Sequence, residues 1–247
     1  MVDGKLRLAK KNETGKVIEA TATITWRKGD KTLSKPVTVN IYPAANSRKT
    51  LMDKIAATYT NSSSDWVVFD MAAYAKLDGT TVETSVDART NYLNLTINEL
   101  ADTSPLATDR AKAEIILAAL GIDSTRLTPL DGAEYSNAAK LAAMNLGTSH
   151  YTAPWVLLAE QAGQMKLSDK QRSSMISLLT SSLGPDGLFV TKWAGETYAD
   201  PDTTGTALAA LAKYNTADYP AVQAFITKAV AGLSAAQRDN GSFGNVN

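Results

Sequence analysis

The chain has 247 residues, enough for one large domain or two smaller ones with a sizeable core. Lysine plus arginine balance aspartate plus glutamate at 25 each, so no global field recruits nucleic acid or an anionic membrane. Cysteine is absent, which excludes disulfides and thiolate chemistry, and no apolar run approaches the roughly 18 residues of a membrane-spanning helix. The first residues, MVDGKLRLAKKNETG, contain no apolar core and do not read as a signal peptide.

Residues 1–45 differ in kind from the remainder and form the first predicted domain. Val17–Trp26 and Thr32–Tyr42 are rich in Thr, Val and Ile with partial alternation, and RKGDK separates them. That pattern predicts a β-hairpin, with a further strand expected at Lys5–Ala9. Two or three strands are marginal alone, so the piece must pack on the helices or belong to a larger sheet. The run VDGKLRLAKKNETGKVIEATATITWRKGDKTLSKPVTVNIYP resembles the C-terminal half of reduced bacterial immunoglobulin-like repeats. The likeness rests on a DGK turn, an ATATIT strand and a KPVTVNI exit strand. It implies an exported Gram-positive surface protein, and therefore an extracellular or cell-surface location, with the module's first half missing.

Helical character begins after Pro43, and residues 46–247 form the second predicted domain. Ser47 is expected to cap a helix reaching about Thr60, and Ser62 with Asp65 to form a capping box for the helix carrying Trp66, Phe69 and Tyr74. Val82–Ala101 is predicted helical, although YLNLTIN alternates like a strand. Ser104-Pro105 opens a helix through Leu120, ended by Gly121. Ser136–Leu146 is closed by Gly147; Thr152–Trp155 starts the next helix; Ser168 and Gln171 box another, to Leu183. Gly184–Ala199 is expected to be the longest unstructured loop, carrying Phe189, Trp193 and Tyr198 as a binding element. Then comes DPDTTGTALAALAKY. Asp200 caps it, Pro201 suits the first turn, Asp202 complements the helix dipole, and the helix is apolar nearly all round. Its successor is amphipathic, with Val222, Phe225, Ile226, Ala229, Val230 and Leu233 on one face.

An apolar inner helix paired with an amphipathic outer one recurs. Starts at Asp65, Asp109, Pro154 and Asp202 are spaced by roughly 45 residues, which predicts an array of helical hairpins. Residues 48–247 resemble the terpenoid cyclase and protein prenyltransferase α/α-toroid superfamily, and especially such repeats in bacterial surface proteins. The anchors are DPDTTGTALAAL and QRDNGSFG. The latter fits a Q-x-x-x-G-x-W repeat, with Gln237, Gly241 and Phe243 in place of Trp; Leu183, Gly187 and Phe189 give a weaker copy. The expected fold is therefore mainly α: an α/α-toroid with a small N-terminal β segment. Four inner helices are fewer than such toroids commonly use to close. The ring is thus expected to be incomplete, its open edge covered by the β segment, by self-association or by a missing downstream domain.

The superfamily raises the question of catalysis. Its cyclases protonate alkenes from a D-x-D-D motif, whose middle acid would here be Asp202, followed by Thr203 where the motif has Asp. That chemistry also needs an aromatic-lined dry cavity, and aromatics are 7% of the chain. The prenyltransferase zinc site cannot be built without cysteine and with His150 as the sole histidine. Calcium stays open at D-x-D, although one such pair supplies too few of the about six to eight oxygens needed. No cofactor is expected. The inner-helix N-termini should meet at one mouth, gathering Asp65, Trp66, Asp109, Arg110, Trp155 and Asp202 beneath Trp193 and Tyr198. Such a mouth suits a glycan, peptide or small molecule. The reading preferred on these grounds is a non-catalytic binding module. A cyclase-like enzyme using Asp202 as general acid and a structural spacer are the alternatives.

Overall fold

The structure is a computed structural model that describes residues 12, 17–41, 48–78, 83–102, 104–146, 149–238 and 241–243. The strand expected at Lys5–Ala9, the cap at Ser47 and the helix end at Gly147 lie outside the described residues. The chain is mainly α-helical with a small N-terminal antiparallel ribbon. It divides into two compact units, residues 1–62 with 70–88, and residues 63–69 with 89–247.

In the first unit, β1 (Ile18–Lys28) and β2 (Lys31–Ile41) pair antiparallel from Ile18–Ile41 to Lys28–Lys31, joined by Gly29–Asp30. The short helix α1 (Arg48–Ala57) ends before the predicted Thr60. Tyr74, on the later part of α2 (Asp65–Asp78), donates its hydroxyl to Asp53 Oδ1 at 3.0 Å.

The second unit holds the first residues of α2 and most of α3 (Val86–Ala101), then α4 (Ala107–Ala119), α5 (Asn137–Ala143), α6 (Ala153–Ala162) and α7 (Asp169–Ser181). It continues through β3 (Phe189–Trp193), β4 (Glu196–Asp200), α8 (Pro201–Leu211) with a 3-10 turn at Ala212–Tyr214, and α9 (Pro220–Ala236). Helix α6 packs between α4 and α8, while α5, α7 and α9 pack outside α4, α6 and α8 respectively. The inner row carries the core: Ala153, Val156, Leu157, Ala159, Ala207, Ala210 and Leu211 are fully buried. Three of the predicted inner–outer pairs, α4–α5, α6–α7 and α8–α9, are therefore present among the described residues.

Local starts differ from expectation for physical reasons. Helix α2 starts at Asp65, with the Val68 N–H donating to Ser64 O at 2.9 Å, two residues beyond the start a Ser62 cap would give. Asp109 Oδ2 accepts the Leu106 N–H at 3.0 Å, setting the start of α4 two residues beyond Pro105. Helix α5 stops at Ala143, three residues short of the prediction, because Met144 turns extended and carries Leu146 into the core. The caps at Ser168 with Gln171 and at Asp200 form as read, and Ser136, the first residue of its predicted helix, caps α5 instead.

The predicted loop at 184–199 is corrected: β3 and β4 form a hairpin from Phe189–Asp200 to Trp193–Glu196. Its two-residue turn holds Ala194 at φ 52 and Gly195 at φ 89, a type I′ geometry. Before it stands a turn that the chain makes twice. Gly184 N–H donates to Leu188 O at 2.8 Å and Gly187 N–H to Gly184 O at 3.1 Å. After α9, Arg238 N–H donates to Ser242 O at 3.0 Å and Gly241 N–H to Arg238 O at 2.8 Å. Gly187 and Gly241 have φ of 80° and 82°. The two glycine-centred sequence copies thus fold alike.

A carboxylate cleft beside a tryptophan pair

The N-terminal turns of α2 and α4 supply the second unit's candidate site. Asp65 opens α2, where a carboxylate complements the helix dipole, and Asp109 plays the same part in α4. Lys112, one turn beyond Asp109 on the same face, forms an ion pair with Asp65. With Tyr92, Thr96 and Glu99 of α3 these groups line a cleft of about 60 Å³, to which Leu100 and Ala113 add apolar surface. That volume admits a few waters or one compact polar headgroup. Three carboxylates face one ammonium, so the cleft carries net negative charge. Tyr92 is 2% exposed, and burial, offset in part by a hydrogen bond with Thr96, pushes its hydroxyl up to about 12. It stays protonated and can donate.

Trp66, the next residue after Asp65, does not line the cleft and is 42% exposed. Its ring lies 5.3 Å from that of Trp155, in the first turn of α6, and meets Phe69 edge-on at 6.1 Å. An exposed aromatic face can hold an apolar ring or a cation.

Four of the expected residues fall into two separate pairs: Asp65 and Asp109 line the cleft, and Trp66 and Trp155 meet ring to ring without lining it. The other four are elsewhere. Arg110 is 2% exposed and turned inward, donating to Leu100 O and Asn137 Oδ1 at 2.9 Å each and to Asp102 O at 2.6 Å. It ties the end of α3 to α4 and α5. Asp202 is exposed in the first turn of α8, and Tyr198 is half-buried in β4 opposite Thr191. Trp193 closes the β3–β4 hairpin opposite Glu196; its side chain lies outside the described residues. Lys112, Tyr92, Thr96 and Glu99 were not foreseen. The last three repeat at helical spacing, a signal masked by the strand-like alternation of YLNLTIN.

Other polar groups in the unit are held structurally. Glu114 is buried, accepting from Ser124 Oγ at 2.7 Å and Asn137 Nδ2 at 2.8 Å, and burial raises its pKa. Glu160 on α6 receives Arg172 of α7 at 2.6 Å and the Leu167 N–H at 3.1 Å. Asp200 takes Thr203 N–H on one oxygen and Thr203 Oγ1 on the other, at 2.9 and 2.7 Å. The His150 ring stacks on Phe189 at 5.0 Å, with its Nε2 buried and without a hydrogen-bond partner among the described residues. Among the described residues no three His, Asp or Glu side chains are placed to hold a metal ion. No helix among them is long and apolar enough to cross a membrane.

No protein-family model matches the chain, and neither a curated protein nor a solved structure is significantly similar to it.

Proposed function

We propose that the chain is a binding module whose ligand presents a cationic group to the cleft and an apolar or ring surface to Trp66. The observation that carries this reading is the cleft itself: Asp65, Glu99 and Asp109 outnumber Lys112; Trp66, the next residue after Asp65, is exposed but does not line the cleft. An amino sugar, a peptide with a basic side chain, or a small amine has that combination of charge and surface. The cleft is too small to enclose such a ligand whole, so recognition would be of an end group. The resemblance of the N-terminal ribbon to immunoglobulin-like repeats, and of the helices to toroid repeats, favours an exported bacterial surface protein as its setting. The cyclase-like alternative draws no support from Asp202, whose exposed position does not open on a dry cavity.

Tryptophan fluorescence titrations with glucosamine oligomers, lysine- or arginine-containing peptides and neutral sugars test the reading. A basic ligand should bind. Glu99→Gln should weaken it by about tenfold, an effect of about 1.4 kcal/mol; Asp202→Asn should leave it unchanged. Binding that ignores Glu99→Gln and Trp66→Ala, or that favours neutral sugars, would overturn the assignment.

A further inference from the structure

The β1–β2 ribbon offers a second surface, independent of the cleft. Ile18, Ala20, Ala22, Ile24 and Trp26 occupy one set of alternating positions on β1; Glu19, Thr21, Thr23, Thr25 and Arg27 occupy the other. A two-residue loop makes its flanking pair, Lys28–Lys31, a hydrogen-bonded one, and every second pair after it. The Thr-bearing positions are therefore in non-hydrogen-bonded pairs, and their N–H and C=O groups point away from β2. Thr25 Oγ1 and Ser34 Oγ, 3.0 Å apart, show the close side-chain approach of such a pair. Pro36, opposite Thr23, sits in another, where β2 needs no N–H. Pro36 thereby interrupts the outer edge of β2 at its middle. The outer edge of β1 has no proline, and among the described residues β1 pairs only with β2.

We infer that this edge pairs with β1 of a second copy of the chain, antiparallel and centred on Thr23. The sequence is self-complementary in that register. A two-fold axis at Thr23 sets Thr21 opposite Thr25 of the second copy and Glu19 opposite Arg27 of the second copy, and the same pairs recur on the other side of the axis. Each of these residues directs its backbone groups outward, so each pair exchanges hydrogen bonds. Centring on Thr21, Ala22, Ile24 or Thr25 loses both Glu–Arg pairs, and any register that sets an odd-numbered residue opposite an even-numbered one requires backbone groups already committed to β2. Opposite charges and Thr–Thr pairs are favourable cross-strand neighbours. The product is a four-stranded sheet, replacing two marginal ribbons, with Ala22 next to Ile24 of the second copy on either side of the axis.

Sedimentation equilibrium of the full chain over a concentration series tests the inference. The wild type should pass from one to two chain masses. Thr23→Pro should keep the ribbon, as Pro36 does, leave the far-ultraviolet circular dichroism unchanged and abolish the dimer. Glu19→Arg and Arg27→Glu should each weaken association by about tenfold or more, because each sets like charges opposite one another twice. Mixed in equal amounts, those two variants should associate with each other, since an edge bearing two arginines then meets one bearing two glutamates. A wild type that stays monomeric throughout, a dimer indifferent to Thr23→Pro, or single variants whose mixture fails to associate would overturn the proposal.

Discussion

Arg110 shows how one position decides whether a charge serves a ligand or the fold. Successive helix residues are about 100° apart, so Asp109 and Arg110 cannot face the same cleft, whereas Asp109 and Lys112 can. Arg110 instead satisfies two carbonyls at the end of α3 and the Asn137 amide oxygen. Arg110→Ala leaves those acceptors buried and should cost about 3 kcal/mol or more, measured as a fall in the urea midpoint at unchanged slope. Ala194 is the opposite case, an exposed residue in a conformation that favours glycine or asparagine. Ala194→Gly should therefore raise the melting temperature, with a gain of about 1 kcal/mol; an unchanged or lower value would mean that the type I′ turn is not populated. The acid pair at Asp200 and Asp202 was legible in sequence as cap and first-turn charge, because a cap depends only on neighbours within one turn. Which side of α4 met α3 was not, since it depends on the tertiary placement of Tyr92 and Glu99.

Among the elements, inner helices were the most legible because burial on all sides leaves an Ala/Leu-rich run bounded by Asp or Pro. The β3–β4 hairpin was not. Its strands, FVTKW and ETYAD, carry β-branched and aromatic residues, but Ala194 stands where an asparagine would have announced the turn. Helix α3 was legible as a helix despite the strand-like alternation of Tyr92, Leu93, Asn94 and Leu95, and α4 and the first turn of α2 draw Tyr92 into a buried cluster. Element packing also explains a glycine that propensity would remove. In α9, a Cβ at Gly232 would collide with Asp186 O and the backbone of Gly187, and one at Gly187 would collide with Lys228 O. Alanine ordinarily gains about 1 kcal/mol over glycine inside a helix. Here the sign should invert: Gly232→Ala should destabilise by about 2 kcal/mol or more, because backbone cannot yield as a side chain can. A stabilised Gly232→Ala protein, by thermal or urea unfolding, would contradict the close approach of α9 to the 184–188 turn.

At the scale of the chain, the balance of 25 cationic and 25 anionic residues leaves little net charge to drive unfolding near neutrality. The dependence of stability on pH therefore falls to a few buried groups, and they pull in different directions. Burial lowers the pKa of His150, with Asp200 opposing, so the unfolded chain binds its proton first and stability is lost as pH falls below about 6.5. Glu160 is lowered despite burial because Arg172 and the Leu167 N–H hold its charged form; its contribution is present above the ordinary carboxylate pKa and lost as pH falls through the depressed one. Glu114 runs the other way. Burial raises its pKa against the opposing hydrogen bonds from Ser124 and Asn137, so the folded chain holds that proton more tightly than the unfolded one. Its contribution is full below the ordinary value and is lost as pH rises through the raised one. Glu114→Gln keeps the shape and an acceptor while removing the buried charge. The substitution should be nearly neutral at pH 4 and stabilising at pH 8, so that the difference in urea midpoint between variant and wild type grows with pH. His150→Phe, which retains the stack on Phe189, should instead change the profile on the acid side of about pH 6.5, where it should flatten the loss. Parallel pH profiles for the Glu114→Gln protein and the wild type would show that Glu114 titrates alike in the folded and unfolded chain, and that the Ser124 and Asn137 contacts do not enclose it as the structure has them.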